Sequence, residues 1–211
     1  MQQNSPLRYT NSEQQKIKMH IQRHFGPILG VMRELISPDL CIDVYIVSPT
    51  EKRPYYLYIT VGMGAYKMET GRVELLMTIP SYWDIHSDEG YFYWPARFMK
   101  QAARFPIITG NNLLPRHTIN NNGKTFDPST EFSAMLISLP LVFNKNSTVC
   151  KLGKGETIQF LQLLPIYKEE LAFIKKHGAG NFIARTGVDL LGPLNLMREN
   201  FYKRKKTITP I

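Results

Sequence analysis

The histidines nearest the N-terminus are the first residues whose spacing could support chemistry. His20 and His24 are four residues apart, so on a helix their side chains would share one face and could bind one metal ion. Ile21 follows His20 where a zinc-protease motif has Glu, and no cluster of Cys or carboxylate residues completes a ligand set. We therefore expect surface or helix-capping histidines and no metal site.

A second candidate is the acidic stretch from Asp84 to Glu89, which also contains His86 and Asp88. Calcium loops place their oxygen ligands at closer intervals and carry a glycine at the sharp turn. This stretch has neither feature, so the pattern favours a solvated loop over a metal site.

Two glycine-rich segments could in principle hold phosphate groups. Gly62-Met-Gly64 lacks the rest of a dinucleotide fingerprint, and the order of Gly and Lys in residues 153–157 is wrong for a phosphate loop. There is also no G-x-S-x-G elbow. We predict two turns, no cofactor and no enzymatic activity, with one alternative left open: a hydrolase that assembles distant residues such as His86 and His117.

Composition sets the limits for the fold. The 211 residues are 43% hydrophobic and 20% charged, which suffices for the core of one domain. A net charge of +9 favours solubility and attraction to acidic partners.

No run is apolar enough for a membrane span or a signal peptide, so we expect a cytoplasmic protein. Cys41 and Cys150 lie in apolar segments and are expected to be buried thiols.

The N-terminal segment predicts an amphipathic helix over residues 12–36. Ser12 and Gln15 form the S-x-x-Q cap pattern, and apolar residues follow at helical spacing. Gly26-Pro27 is expected to kink or split this helix.

Later segments predict an antiparallel sheet with further helices. β-branched and aromatic residues separated by turn-forming residues are typical of strands. A charge order of Glu early and Lys late, followed by Gly178, predicts a helix after Pro165. Residues 107–133 are rich in Asn and Pro and predict loops. The predicted strands are 41–47, 55–61, 72–80, 133–143 and 156–165.

A cationic and aromatic segment, FYWPARFMKQAARFP (92–106), could be mistaken for a nucleic-acid platform. Pro95 suits the first turn of a helix, and the apolar residues recur at a period near 3.6. We predict a core-facing helix with a solvated basic flank, whose buried aromatics cannot stack on bases. The core side is Trp94, Phe98, Met99, Ala102 and Phe105, and the basic flank is Arg97, Lys100 and Arg104.

Three segments in this order resemble the suppressor of fused domain family. They are DVYIVSPTEKRPYYLYITVGMGAYKM (43–68), WPARFMKQAARFP (94–106) and TIQFLQLLPIYKEELAFIKKHGA (157–179), with RVELLMTIP (72–80) between the first two. The resemblance implies an α+β fold, a mixed but mainly antiparallel sheet packed with helices. The resemblance covers about residues 40–190, and we expect a single domain over 1–211 with its core there. The basic run near the C-terminus separately predicts a basic arm at 196–211.

The resemblance also implies a function in protein binding, without catalytic residues or cofactor. The animal relative holds a Gli peptide as a strand between two domains, whereas bacterial single-domain members resemble immunity proteins encoded beside polymorphic toxins. This chain has no room for the second domain. It also lacks the acidic loop that meets the Gli peptide in the animal relative, because GMGAYKM and RVELLMT are joined by residues 69–71 alone, and only Tyr66 matches a tyrosine of the peptide cleft. We therefore expect a cognate toxin, not Gli, as the partner.

Exposed aromatic and acidic residues are the predicted partner contacts, because a partly exposed aromatic supplies a large contact area at low entropy cost. Trp83 could instead join Trp94 in the core. A nucleic-acid-binding protein that uses the basic run from Lys203 to Lys206 is the alternative function. The predicted contacts are Tyr66, Tyr82, Trp83, Asp84, Asp88, Glu89, Tyr91 and Tyr93.

Overall fold

A central eight-stranded sheet organises the chain, of which the computed structural model describes residues 5–203. The strands are β1 (Ile28–Met32), β2 (Asp43–Val47), β3 (Tyr55–Val61), β4 (Arg72–Pro80), β5 (Thr118–Asn120), β6 (Phe132–Ser138), β7 (Val149–Gly153) and β8 (Glu156–Tyr167). Their order is β1-β2-β3-β4-β8-β6-β5, and β7 pairs with the first half of β8. Only the β4–β8 pair is parallel among these strands.

Helices cover both faces of the sheet. They are α1 (Asn11–His24), α2 (Gly90–Thr109), α3 (Lys168–His177) and α4 (Ala179–Thr186). Alternate side chains of each strand point to opposite faces, so Leu75 of β4 packs in the cluster that contains α2, whereas Leu76 packs in the cluster that contains α1. Leu164 of β8 belongs to a third cluster, under α3 and α4.

The predicted α+β class with a mainly antiparallel sheet is confirmed. The hairpin is formed by β2 and β3, which pair antiparallel with Tyr45 opposite Ile59, and β4 continues the sheet beside β3. The helix expected after Pro165 is α3, although β8 extends to Tyr167 before it begins.

The prediction of a helix over residues 12–36 is wrong in its second half. Helix α1 ends at His24, because Gly26 has a φ of 117° and Pro27 has no amide hydrogen to continue the helix. Residues 28–32 instead form β1, an edge strand paired with β2. The cap also differs, since Thr10 and Glu13 form the capping box.

The basic flank predicted for the aromatic helix is also partly wrong. Helix α2 begins at Gly90, and its aromatic side faces the core as predicted, with Trp94 fully buried. Lys100, however, is 9% exposed and its Nζ donates to the carbonyl of Arg33. Arg104 bonds the carboxylates of Glu34 and Asp39. These two cations therefore hold the helix on the β1–β2 connection.

Smaller corrections concern the ends of the sheet. Strand β6 stops at Ser138, five residues before the predicted end, and β5 lies within the stretch predicted as loops. Cys150 is buried as expected, whereas Cys41 is half-buried. Among the helices of residues 5–203, none combines the length and apolarity needed to cross a bilayer.

Candidate protein-binding surface

A buried carboxyl group in β4 fixes the turn that precedes this strand. The Glu74 side chain is 0% exposed. Its Oε1 accepts hydrogen bonds from the amides of Gly62 (2.9 Å) and Gly64 (3.1 Å) and from the Tyr9 hydroxyl (2.6 Å). Its Oε2 accepts from the Thr60 hydroxyl at 2.6 Å. We refer to these five residues as the Glu74 cluster.

Glycine is required twice in this cluster because backbone and side chains approach closely. A Cβ on Gly62 would lie 2.0 Å from the carbonyl oxygen of Cys41, and the residue has a φ of 140°. A Cβ on Gly64 would lie 2.3 Å from the Tyr9 hydroxyl oxygen. The G-x-G pattern therefore serves a tight turn around a carboxyl group.

Burial dominates the electrostatics of the Glu74 cluster. It raises the pKa of Glu74 above its usual value, against the opposing effect of the hydrogen bonds from Thr60, Tyr9 and the two glycine amides. The pKa of Tyr9 is raised well above its usual value, first by burial and then by the Glu74 charge. Since the Glu74 carboxyl group has no exposed surface, it cannot contact a partner and instead fixes the backbone of the turn.

At the other end of β4 lies a loop with the opposite character, residues 81–89, which we call the β4–α2 loop. Trp83 fixes the position of this loop. Its indole is 2% exposed and donates Nε1–H to the Phe92 carbonyl at 2.9 Å. The indole also stacks on Tyr91, with ring centroids 5.4 Å apart. The neighbouring Tyr82 side chain is 71% exposed. The loop thus presents a tyrosine from a fixed base.

Three carboxylates of the β4–α2 loop face solvent. Asp84, Asp88 and Glu89 are exposed, and none of them forms a salt bridge within residues 5–203. Asp84 accepts a hydrogen bond from the His86 amide at 3.0 Å, which shapes the turn. Glu89 is at the N-cap position of α2, where the helix dipole favours negative charge. The loop is a local acidic surface on a cationic chain.

The structure brings most, but not all, of the predicted contact residues together. Tyr82, Tyr91 and the three carboxylates are exposed on the loop and the first turn of α2. Trp83 is buried and supports the loop instead of lying on its surface, because its indole finds a backbone acceptor in Phe92. Tyr93 is half-buried against the core. Tyr66 precedes β4 and so lies at the far end of the strand, about 30 Å along it.

Within residues 5–203, the two histidines of the hydrolase alternative do not converge. His86 lies in the β4–α2 loop, whereas the exposed His117 precedes β5, three strand positions from β4. The Cys150 thiol is buried, and burial raises its pKa to about 11, so it is a poor nucleophile. Within the described part of the chain, no group of three or more His, Cys, Asp or Glu residues could hold a metal ion.

Sequence reasoning missed the Glu74 cluster. One signal was available: Glu74 is the single acid within the apolar strand segment RVELLMTIP, where a buried carboxylate needs several hydrogen-bond donors. The donors themselves are far apart in sequence, and Tyr9 gave no local indication of its role.

Together, the fold and the loop define an α+β domain that carries an exposed aromatic and acidic surface on a rigid base. Residues 38–193 match the Suppressor of fused protein (SUFU) family, and the chain belongs to that family. An uncharacterized protein of Ureaplasma parvum serovar 3 is 25% identical over 181 residues, which are 81% of this chain and 86% of that protein.

Solved structures share the fold. A SUFU homolog from Neisseria gonorrhoeae superposes with a TM-score of 0.68 at 17% identity, covering 90% of this chain and 97% of its own. A chain of the Sufu–Fu complex gives a TM-score of 0.64 at 16% identity, with 92% of both chains covered. Drosophila Suppressor of Fused gives 0.62 at 15% identity, and the match covers 88% of this chain and 49% of the Drosophila chain.

Proposed function

We propose that this chain is a non-catalytic protein-binding module that acts in the cytoplasm as an immunity protein and neutralises a cognate toxin. Two facts support protein binding: the chain belongs to the SUFU family, and a SUFU-type fold occurs in the Sufu–Fu complex. The toxin as partner rests on the similarity of this short chain to bacterial single-domain members of the family.

The observation that carries the proposal is the β4–α2 loop. Tyr82 is largely exposed beside the buried and stacked Trp83, so a partner gains aromatic contact area while little loop entropy is lost on binding. An aromatic anchor held by a fixed support is the type of residue that dominates binding energy at protein interfaces.

Charge indicates which partner surface the loop fits. The chain has a net charge of +9, yet Asp84, Asp88 and Glu89 gather within six residues and have no cationic partner in residues 5–203. These carboxylates complement a basic surface, such as the substrate cleft of a nuclease toxin. Neutralisation then consists of covering that cleft, and complementary charge accelerates association at low salt.

A growth assay tests the proposal. The product of the gene beside the one for this chain, which the proposal takes to be the toxin, is expressed in a bacterial host together with the wild-type chain or the D88K variant. We expect growth with the wild type and loss of protection with D88K, because a lysine would repel a basic cleft. E69K is the matched control, since Glu69 is also exposed but lies at the other end of β4. Absence of protection by the wild type, or equal protection by D88K, contradicts the proposal.

The positive net charge favours one alternative, binding of nucleic acid through the C-terminal basic run. Lys203 pairs with Glu131 at 3.0 Å, and residues 204–206 lie outside the described part of the chain. Phosphate contacts would make the affinity fall steeply with salt. A gel shift at low and moderate salt distinguishes the two functions, and the absence of a shift at low salt removes the alternative.

A further inference from the structure

A groove with a volume of about 1070 Å³ runs between α1 and β7, on a different part of the molecule from the β4–α2 loop. One wall is the helix face formed by positions i, i+3, i+4 and i+7. The other wall is the turn before β7 and β7 itself. The helix wall contains Lys16, Met19, His20 and Arg23, and the strand wall contains Lys145, Asn146, Val149 and Lys151.

The charge of this α1–β7 groove is one-sided. Lys16, Arg23, Lys145 and Lys151 line it and are exposed, whereas no Asp or Glu is among its lining residues. None of the four forms a salt bridge within residues 5–203. Since Lys and Arg remain charged at neutral pH, the groove concentrates positive potential that no group on its walls neutralises.

The floor of the groove is neutral and rigid. The His20 ring stacks on Phe160 with centroids 5.6 Å apart and planes 7° apart, and it hydrogen-bonds the Ser147 carbonyl at 2.8 Å. Burial lowers the pKa of His20, against the opposing effect of that hydrogen bond. The cations therefore project from a fixed surface.

We infer that the α1–β7 groove binds an extended acidic segment of a partner protein. The four cations complement the carboxylates of such a segment, because none has a carboxylate partner within residues 5–203. Lys16 also donates a hydrogen bond to the Leu152 carbonyl at 2.5 Å, which holds its ammonium group at the groove. Helix α1 has 14 residues and is about 21 Å long, which matches roughly six residues of an extended peptide. The inference rests on the proposed function in one respect, that the partner is a protein. The groove is cationic whereas the β4–α2 loop is acidic, so the two surfaces fit partner segments of opposite charge.

The walls favour a peptide over a nucleic acid. Met19 is 60% exposed and Val149 is half-buried, so apolar side chains between the acidic residues of a peptide find contacts. Binding of single-stranded nucleic acid uses exposed aromatic rings on which bases stack. In this groove the His20 ring stacks on Phe160, the exposed His24 ring packs on His20 with centroids 4.4 Å apart, and none of the lining residues is Phe, Tyr or Trp. Residues 1–4 and 204–211 contain no Asp or Glu, so they offer the groove no side-chain counter-charge.

A binding titration tests this inference with the full chain and a labelled peptide of alternating Glu and Leu, followed by fluorescence anisotropy. We expect binding at low salt that weakens as salt is added. The R23E/K151E variant should lose affinity by at least about tenfold. The K175E/K176E variant is the control, because it changes the net charge equally at two exposed residues of α3 and should bind as the wild type does.

Single-stranded DNA of equal charge serves as the competitor, and M19S tests the apolar wall in a variant that keeps every charge. A severalfold loss with M19S supports a peptide groove. The inference is overturned by no peptide binding at low salt, by equal losses in R23E/K151E and K175E/K176E, or by DNA that binds more tightly than the peptide. Peptide binding without toxin protection would count against the proposed function alone.

Discussion

The carboxylates at the two ends of β4 differ in burial and in hydrogen bonding. Glu74, near the start of the strand, has no exposed surface and accepts four hydrogen bonds. Asp84, Asp88 and Glu89, beyond the end of the strand, are exposed and form no salt bridge within the described residues. One carboxyl group fixes the backbone, whereas the other three are available to another molecule.

This difference separates stability from binding. Removing a buried group that accepts hydrogen bonds from several donors lowers the free energy of unfolding, because the donors are left without partners. Replacing an exposed, unpaired group changes stability little. Substitutions near the start of β4 should therefore change the free energy of unfolding, whereas substitutions beyond its end should change the affinity for a partner.

The largest expected effect comes from Gly62. In G62A the new methyl group would overlap the Cys41 carbonyl oxygen, which lies 2.0 Å from the Cβ position. We expect a loss of about 4 kcal/mol or more in the free energy of unfolding, measured by urea denaturation. G71A is the control, since Gly71 has a φ of 111° but nothing within 4 Å of the Cβ position, and should cost about 1–2 kcal/mol. Equal losses would show that the close approach is unimportant.

A second buried carboxylate extends the comparison to ion pairs. Glu170 is fully buried, and Arg198 bonds its two oxygens at 2.6 and 2.7 Å. R198M should cost about 3 kcal/mol in unfolding free energy, because it leaves a buried charge unpaired. K203M breaks the exposed pair with Glu131 and should cost less than about 1 kcal/mol. A small effect of R198M would contradict the view that buried carboxylates hold this fold.

The pH dependence of stability tests Glu74 itself. Because burial raises its pKa in the folded state above 4.5, the folded protein holds the proton more tightly than the unfolded chain does. The stabilisation that comes from this tighter proton binding is fully present below the pKa of Glu74 in the unfolded chain. It is lost as pH rises through the pKa of Glu74 in the folded protein. Unfolding free energies of the wild type and E74Q, measured between about pH 4 and about pH 8, isolate it.

At the acidic end of this pH range we expect E74Q to lower the free energy of unfolding by about 1–3 kcal/mol, because donors to the carboxyl group lose an acceptor. The difference between wild type and E74Q should shrink as pH rises, because only the wild type loses the contribution of the Glu74 proton. A difference that grows with pH would mean that the folded state prefers ionised Glu74.

The smallest effect on stability is predicted for Tyr82. Its side chain is 71% exposed, so Y82A should change the unfolding free energy by less than about 0.5 kcal/mol. The same variant should weaken toxin binding by about tenfold or more if Tyr82 anchors the interface. W83A, measured alongside, should lower stability by about 3 kcal/mol or more, because it removes a buried ring. A large stability loss in Y82A would assign Tyr82 to the scaffold.

How far the sequence predicts this molecule depends on how local each signal is. Strands β2, β3 and β4 were predictable because β-branched runs and turn residues alternate within one short segment. Strand β1 was missed, since the five residues of ILGVM fit a helical as well as an extended period, and only pairing with β2 decides between them.

The sites divide in the same way. The acids of the β4–α2 loop lie within six residues of the sequence, which predicts the loop, but the burial of Trp83 depends on contacts with Tyr91 and Phe92. The helical period predicts Lys100 on the solvated flank, although its Nζ donates a hydrogen bond to the Arg33 carbonyl on a distant segment. The Glu74 cluster needs residues from 9 to 74, which only the tertiary fold brings together.

The most direct test of the proposed function is a calorimetric titration of the purified chain with the product of the neighbouring gene, which that function takes to be the toxin, in parallel with urea unfolding of the same samples. We expect D88K to bind the toxin at least about tenfold more weakly than E69K does, while both variants unfold with nearly the same free energy. Equal toxin affinities for the two variants, or a toxin that the wild-type chain does not bind, would contradict it.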